Sequence, residues 1–217
     1  MEMNDRSVQI AGSPLGRHRH ICAFFNSLDE QHRVLRSFVR DALDQGEKVI
    51  HIVDPALREE HLKRFREAGI DVERAIASGQ LDVRLWLGVY LHGGRFDKER
   101  ALASVEELLG SGAAGGYPRS RLLGQVEWAL LEGGSVDDLL EYETRINSVI
   151  TKYDQPAMCA YDLSRLRASV VIDIMRTHPV VIIGGVLQEN PYYVPPDQFL
   201  LEIRERRSIR NSARMAH

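Results

Sequence analysis

Short apolar runs alternate with amphipathic stretches along most of the chain. Six runs have the length and the aromatic or β-branched content that are typical of buried strands. They cover residues 20–25, 48–53, 81–86, 121–126, 157–161 and 180–186. The third run alternates apolar and polar positions, which predicts a less buried strand, whereas several of the others are continuously apolar and predict strands covered on both faces.

Helical spacing of apolar residues separates these strands. Ser27 and Glu30 have the spacing of a capping box, and Leu35, Phe38 and Val39 continue one buried face to a stop at Gly46. Asp54 before Pro55 predicts the start of a second helix. Further helices are predicted over 71–77, 101–109, 135–153 and 164–175 and after Pro196. The alternation predicts an α/β fold, a single three-layer α/β/α domain with a mostly parallel sheet.

The two ends differ in composition from this domain. Residues 1–16 are polar and aperiodic, so we expect a flexible leader, with the domain over 17–203. Residues 204–217 hold five arginines, which predicts a basic, flexible, solvated tail, and contact with nucleic acid or an acidic partner is the alternative. No second domain or internal repeat is apparent.

Composition excludes several classes of protein. The chain has 217 residues, 44% hydrophobic and 27% charged, so it can bury a sizeable core. Its net charge of −3 lacks the basic surplus of a dedicated nucleic-acid binder. No apolar run approaches the length of a membrane span, and no secretory signal precedes the two cysteines. We therefore expect reduced thiols, a cytoplasmic location, and neither a membrane nor nucleic acid as a direct partner.

Ligands of open parallel sheets bind beyond the carboxyl ends of the strands. The residues expected there are acidic and aromatic, with one arginine, and this chemistry favours a small neutral or cationic organic molecule. The candidate ligand-binding residues are Asn26, Asp54, Trp86, Glu127, Trp128, Tyr161, Asp162, Arg165, Asn190 and Tyr192.

A phosphate-binding loop is missing where a nucleotide site would need it. Residues 25–30, after the first strand, contain neither glycine nor lysine, and Asp29 and Glu30 would repel phosphate. No Gly-x-Gly-x-x-Gly follows a strand either. Nucleotide and dinucleotide binding are therefore disfavoured.

A family resemblance rests on several segments in order. They are HICAFF at 20–25, GEK at 46–48, GQVEWAL at 124–130, CAYD at 159–162, THP at 177–179 and NPY at 190–192. With these the chain resembles the MEDS sensory domain of DcmR-type regulators, and it is distantly similar to KaiC and RecA-like ATPases without their phosphate loop. The resemblance implies sensing of small hydrocarbon derivatives. It also implies an output through a separate signalling or transcription-regulatory protein, since no such module is recognisable in the sequence.

Several candidate residues have a structural interpretation as well. Glu127 and Trp128 line a pocket or else form a solvated acid beside a core tryptophan. Asp162 and Arg165 contact a ligand or else form a helix cap and an ion pair. Both alternatives stay open for each pair.

Metal and catalytic chemistry receive less support. His20, Cys22, Cys159 and His178 are zinc-type ligands, but their spacing matches no zinc motif, and His178 beside Pro179 fits a helix cap. No nucleophile elbow or activated cysteine is evident. We therefore expect no metal, no cofactor and no catalytic residue.

The sequence thus predicts a non-catalytic sensory or regulatory domain that binds a small organic molecule. A degenerate nucleotide-binding protein and a pure partner-binding protein are the alternatives, and homo-oligomerisation stays open.

Overall fold

The structure is a computed structural model that describes residues 8–92, 94–126 and 135–215. Its strands are β1 (Gln9–Ile10), β2 (Ser13–Pro14), β3 (His20–Phe25), β4 (Lys48–Val53), β5 (Leu81–Leu85), β6 (Leu91–His92), β7 (Arg95–Phe96), β8 (Ser120–Gln125), β9 (Ala157–Asp162), β10 (Val180–Ile183) and β11 (Val186–Glu189).

The helices follow the strands as the periodicity predicts. They are α1 (Leu28–Asp44), α2 (Arg58–Glu67), α3 (Val72–Ala77), α4 (Trp86–Val89), α5 (Lys98–Ala114), α6 (Val136–Tyr153), α7 (Ala168–Thr177) and α8 (Pro196–Met215), and a 3₁₀ turn covers Leu163–Arg165. Among the helices described, none combines the length and apolar character that crossing a bilayer requires.

One sheet of seven strands, in the order β11-β10-β3-β9-β8-β4-β5, forms the middle layer. Every neighbouring pair is parallel except β10 with β11. β3 lies between β10 and β9, although these two strands are more than a hundred residues away in sequence. The predicted α/β class and mostly parallel sheet are confirmed.

Two apolar layers cover the two faces of the sheet. One contains buried residues of α1, α2 and α3 together with Ile21, Ala23 and Phe25 of β3. The other contains residues of α4 to α8 together with Cys22 and Phe24, the alternate positions of the same strand. Burial on both faces explains why most of these strands are continuously apolar.

The amino-terminal segment differs from the flexible leader that the sequence predicts. Residues 9–14 form the β1–β2 hairpin, and Val8, Ile10 and Leu15 are buried beside α1. Each strand has only two residues, too few for a visible alternation, so sequence periodicity did not reveal them.

The carboxyl-terminal part differs in two places. The run at 180–186 is one predicted strand, but Gly184 and Gly185 have φ of 59° and 76° and turn it into the β10–β11 hairpin. Such a turn needs positive φ at both central residues, which glycine adopts without strain. Residues 204–215 of the expected flexible tail belong to helix α8. Arg206 and Arg207 of this segment form ion pairs with α7 and α6.

Candidate functional site

A small crevice lies at the carboxyl ends of β3, β9 and β8, where the rule for parallel sheets predicts ligands. Its volume is about 50 Å³. Apolar side chains and two buried amides form most of the wall, and an acid and an arginine complete it. The lining residues are Phe25, Ser27, Leu28, Gln31, Leu57, Gln125, Asp162 and Arg165.

Four of the ten predicted residues lie at or near this edge of the sheet. Asp162 and Arg165 line the crevice. Asp54 donates its backbone N–H to Gln125 Oε1, and its own carboxylate accepts from Ala56 N. Asn26 follows β3 and donates its backbone and amide N–H groups to Glu30 Oε2.

Four other predicted residues lie elsewhere. Trp86 starts α4 and is buried in the apolar layer. Tyr161 is buried beneath α6, because its side chain lies on the sheet face opposite Phe25. Asn190 donates to the carbonyls of Met175 and His178 near the end of α7, and Tyr192 is exposed. Glu127 and Trp128 lie outside the described residues.

The start of α1 carries a carboxylate where a nucleotide site would present free N–H groups. Ser27 Oγ accepts from Glu30 N, which confirms half of the predicted capping box. Glu30 Oε2 accepts from Asn26 N at 2.9 Å. A negative charge held at this helix start opposes phosphate binding there.

A buried polar cluster lies on the other side of the sheet, in the amino-terminal half of the strands. It consists of His20 on β3, Glu143 on α6, Cys159 on β9 and His178 between α7 and β10. Their ligand atoms lie within 4.8 Å of one another, and all four side chains are buried. We call these four residues the His–Cys–Glu cluster.

Glu143 is the centre of this cluster. Its Oε2 lies 3.4 Å from His20 Nε2, 3.4 Å from His178 Nε2 and 3.6 Å from Cys159 Sγ. Its Oε1 accepts a hydrogen bond of 2.8 Å from Tyr161 Oη. Three of the four zinc-type residues recognised in the sequence therefore meet here, whereas Cys22 Sγ donates to Val180 O instead.

Burial controls the charge of the cluster. It lowers the pKa of His20 to about 4, with His178 as the second cause, so His20 is neutral near pH 7. Burial also raises the pKa of Cys159 well above its usual value, and Glu143 adds to this effect.

The sequence contains a signal that points to Glu143. Glu143 occupies the same helical face as Leu139 and Ile146, a face that periodicity predicts to be buried. A lone carboxylate on such a face is costly to bury, and it predicts a polar partner on the sheet.

A second histidine cluster adjoins the carboxyl-end crevice. The ring centroid of His61 lies 4.5 Å from that of His32 and 5.1 Å from that of His51. Gln125 lines the crevice, and its Nε2 lies 3.4 Å from His61 Nε2. Burial lowers the pKa of all three rings, that of His32 to about 4 and that of His61 to about 3.

Comparison with known proteins covers the part of the fold from β3 to α7. The family model described as "MEthanogen/methylotroph, DcmR Sensory domain" (MEDS) matches residues 19–179. The chain belongs to the MEDS family. The matched range of this MEDS domain starts next to β3 and ends just before β10, so it contains all four residues of the His–Cys–Glu cluster.

A curated relative of this MEDS domain is a transcriptional repressor. The chain is 26% identical over 176 residues to "Transcriptional repressor DcmR" from Methylorubrum extorquens (strain DSM 6343 / CIP 106787 / DM4). The alignment covers 81% of this chain and 63% of the repressor, so the chain spans less than two thirds of that protein's length. Together these similarities support a regulatory, sensory role.

Proposed function

We propose that this MEDS domain is a non-catalytic sensor that binds a small organic molecule in the crevice at the carboxyl ends of β3, β9 and β8. The family and the repressor relative support the sensory role. The site is supported by the crevice itself, a partly open space at the sheet edge where parallel α/β folds bind ligands.

The size and chemistry of the crevice favour a very small ligand. A volume of about 50 Å³ holds roughly two water molecules at their liquid volume of about 30 Å³ each. Phe25, Leu28 and Leu57 offer apolar contact, and the buried amides of Gln31 and Gln125 offer hydrogen bonds. Three of the eight lining residues are apolar and five are polar or charged, so the wall offers both kinds of contact. A neutral or cationic molecule of a few heavy atoms fits this lining, with Asp162 as the acceptor.

Gln125 offers a route from the crevice to the rest of the domain. Its Oε1 accepts from Asp54 N, and its Nε2 lies against His61. A ligand that competes for this amide would disturb the turn before α2 and the second histidine cluster. The output then passes to a separate signalling or transcription-regulatory protein, with no direct contact to nucleic acid or membrane. The cytoplasmic location and the absence of catalysis remain predictions, and homo-oligomerisation stays open.

The test is thermal unfolding of the full chain with small alcohols, aldehydes, amines and amides. A compound present at about 100 times its dissociation constant raises the unfolding midpoint by about 5 to 10 °C in a domain of this size. Mg-ATP in the same assay tests the nucleotide alternative, and we expect no shift because Glu30 occupies the start of α1.

Variants assign the binding to the crevice. Asp162→Asn retains a capping side chain for Ser164 but removes the charge, so the ligand shift falls while the fold remains. Asp82→Asn, at the far edge strand β5, is the matched control and keeps the full shift. A ligand shift that is equal in both variants contradicts the proposed site, and a shift with Mg-ATP contradicts the proposed function.

A further inference from the structure

We propose that the His–Cys–Glu cluster is a tetrahedral site for a divalent metal ion of the zinc class. The ligand atoms are His20 Nε2, His178 Nε2, Cys159 Sγ and one carboxylate oxygen of Glu143. This inference goes beyond the proposed sensing at the crevice and is independent of it, since the cluster lies on the opposite side of the sheet.

The tautomer of His20 is determined by Asn147. The amide nitrogen of Asn147 donates to three carbonyls, those of Glu143, Thr144 and Thr177. Its Oδ1 therefore faces His20 Nδ1, at 3.1 Å, and accepts the ring proton from that nitrogen. His20 Nε2 consequently presents a lone pair to the centre of the cluster.

The tautomer of His178 is determined in the same way. Its Nδ1 lies 2.9 Å from the carbonyl oxygen of Ile174, which can only accept. The hydroxyl of Thr177 lies 2.8 Å from the same Nδ1, and because its single proton is donated to the carbonyl of Ile174, its oxygen faces the ring as a second acceptor. The proton of His178 is thus on Nδ1, and Nε2 has no hydrogen-bond partner among the described residues. A second lone pair points at Glu143.

Two histidine lone pairs therefore face Glu143 Oε2, and the nearest proton to this oxygen is that of the Cys159 thiol, whose sulfur lies 3.6 Å away. Within the described part of the chain, the ion-pair partners of Glu143 are the two histidines, and both rings carry their proton on the far nitrogen. Glu47, another buried glutamate, pairs instead with the guanidinium groups of Arg119 and Arg121. A buried carboxylate that faces lone pairs is unfavourable unless a cation joins it.

A divalent ion balances the charge of the cluster. Metal coordination deprotonates a thiol, so Cys159 contributes one negative charge and Glu143 another, while both histidines stay neutral. The two charges cancel those of the ion, which leaves a neutral unit in a buried environment. Loading the site therefore releases one proton per chain, from Cys159.

Four of the six separations between ligand atoms fit tetrahedral geometry, and all six are within 4.8 Å. Zinc bonds of about 2.0 to 2.3 Å in a tetrahedron place neighbouring ligand atoms roughly 3.3 to 3.7 Å apart. Four separations in the cluster are 3.4, 3.4, 3.5 and 3.6 Å. Nitrogen and sulfur ligands exclude calcium and magnesium, which prefer oxygen.

The surroundings resemble the supporting shell of protein zinc sites. Each ligating histidine donates its other ring N–H to a fixed acceptor, as zinc-bound histidines do. Tyr161 holds the second oxygen of Glu143 and so acts as a positioning residue. An open cleft of about 760 Å³ has His20, Asn147 and Pro179 in its wall, so one of the four ligands lies next to the surface.

The spacing argument in the sequence failed because the ligands do not come from one local segment. They come from β3, α6, β9 and the end of α7, and the strand order brings them together. Zinc motifs with short spacing detect only sites in which two ligands share a turn or a helix.

The experiment uses the full chain, stripped of metal with a chelator and reloaded with Zn²⁺ or Co²⁺ alone. We expect one ion per chain by elemental analysis, one proton released on loading, and a rise in the unfolding midpoint. Tetrahedral Co²⁺ bound to a thiolate shows intense visible bands and a near-ultraviolet charge-transfer band. If adding Zn²⁺ or Co²⁺ to the metal-free chain produces none of these changes, the proposal is wrong.

Two cysteine variants form a matched pair. Cys22 and Cys159 are both buried, lie on the same sheet face and are partners in the β3–β9 register. Cys159→Ser abolishes the charge-transfer band, whereas Cys22→Ser retains it. Equal cobalt spectra of the two variants would refute the site. A loss of the cobalt bands in His61→Gln would also refute it, because the ion would then lie at the second histidine cluster.

Tyr161→Phe keeps the test decisive if Cys159→Ser fails to fold. This variant retains all four ligands, so the charge-transfer band persists, but zinc binds about 10- to 100-fold more weakly because Glu143 loses its support. Unchanged zinc affinity in Tyr161→Phe, or the loss of the band with folding intact, contradicts the assigned geometry.

Discussion

The guanidinium group of Arg121 on β8 and the carboxylate of Glu47 form an ion pair that is almost entirely excluded from solvent. Arg121 Nε lies 2.6 Å from Glu47 Oε2, and the exposed fractions of the two residues are 0% and 3%. Arg121 also donates to the carbonyl of Phe38 and lies over the ring of Phe38, with the guanidinium carbon 5.3 Å from the ring centroid. The pair joins α1 to the amino ends of β4 and β8.

Glu47→Gln tests the energetic weight of this pair. The substitution leaves a buried guanidinium without its countercharge, which destabilises by about 3 to 5 kcal/mol. Urea denaturation measures the free energy of unfolding. Glu106→Gln removes an exposed pair with Lys152 and is the control, with an expected change within about 0.5 kcal/mol. Equal effects of the two substitutions would contradict the assigned burial.

Gly112→Ala tests the contact of α5 with the sheet. An added Cβ would lie 1.9 Å from Ser120 Oγ and 3.3 Å from Ser120 Cβ, so we expect a net loss of about 1 to 3 kcal/mol. Gly110→Ala in the same helix meets only Tyr153 at 3.6 Å or more and gains stability of up to about 1 kcal/mol. Thermal unfolding compares the two variants.

A double variant checks the cause of this loss. Adding Ser120→Ala removes the closest atom, so it recovers much of the stability that Gly112→Ala loses. If the loss persists in full, the hydroxyl of Ser120 is not the obstacle.

Ile10→Ala tests whether the amino-terminal hairpin is part of the core. Ile10 is 1% exposed and belongs to the same buried layer as α1, so truncation costs about 2 to 4 kcal/mol in chemical denaturation. Ile209→Ala on α8, where the side chain is 70% exposed, is the control and changes stability little. If the Ile10→Ala variant is as stable as the parent, the result would support the flexible leader that the sequence predicts.

His61 makes stability depend on pH. Burial, aided by His32 and Arg64, lowers the pKa of His61 from 6.5 to about 3. Below about pH 6.5, His61 binds a proton in the unfolded chain but not in the folded chain. Its contribution to the free energy of unfolding is therefore fully present above pH 6.5 and is lost as the pH falls toward 3. Between pH 7 and pH 5 the loss is about 2 kcal/mol for this one residue.

His61→Gln measures that contribution. Glutamine keeps an acceptor for Gln125 but does not titrate, so the stability difference between pH 7 and pH 5 shrinks by about 2 kcal/mol. Denaturation curves at the two pH values give both differences. A variant with the same pH dependence as the parent would show that another group is responsible.

Local patterns predicted most of the elements, because each depends on neighbouring residues. The capping residue Ser27 and the apolar spacing that follows it placed α1 correctly. Asp54 was a weaker guide: it caps a turn through Ala56, and α2 begins only at Arg58. The short hairpin at residues 9–14 and the helical end of α8 were missed, since tertiary contacts rather than periodicity stabilise them.

The site residues also divide into those that local sequence patterns predict and those that only tertiary packing brings together. The sequence by itself determined the α/β class, the family resemblance and the residues at the strand ends, because alternation and motifs are local properties. Only the tertiary structure decided that Tyr161 turns away from the crevice toward Glu143, and that His20 meets Cys159 and His178. Strand order is set by packing between distant segments, and the placement of β3 between β9 and β10 carries these residues to one point.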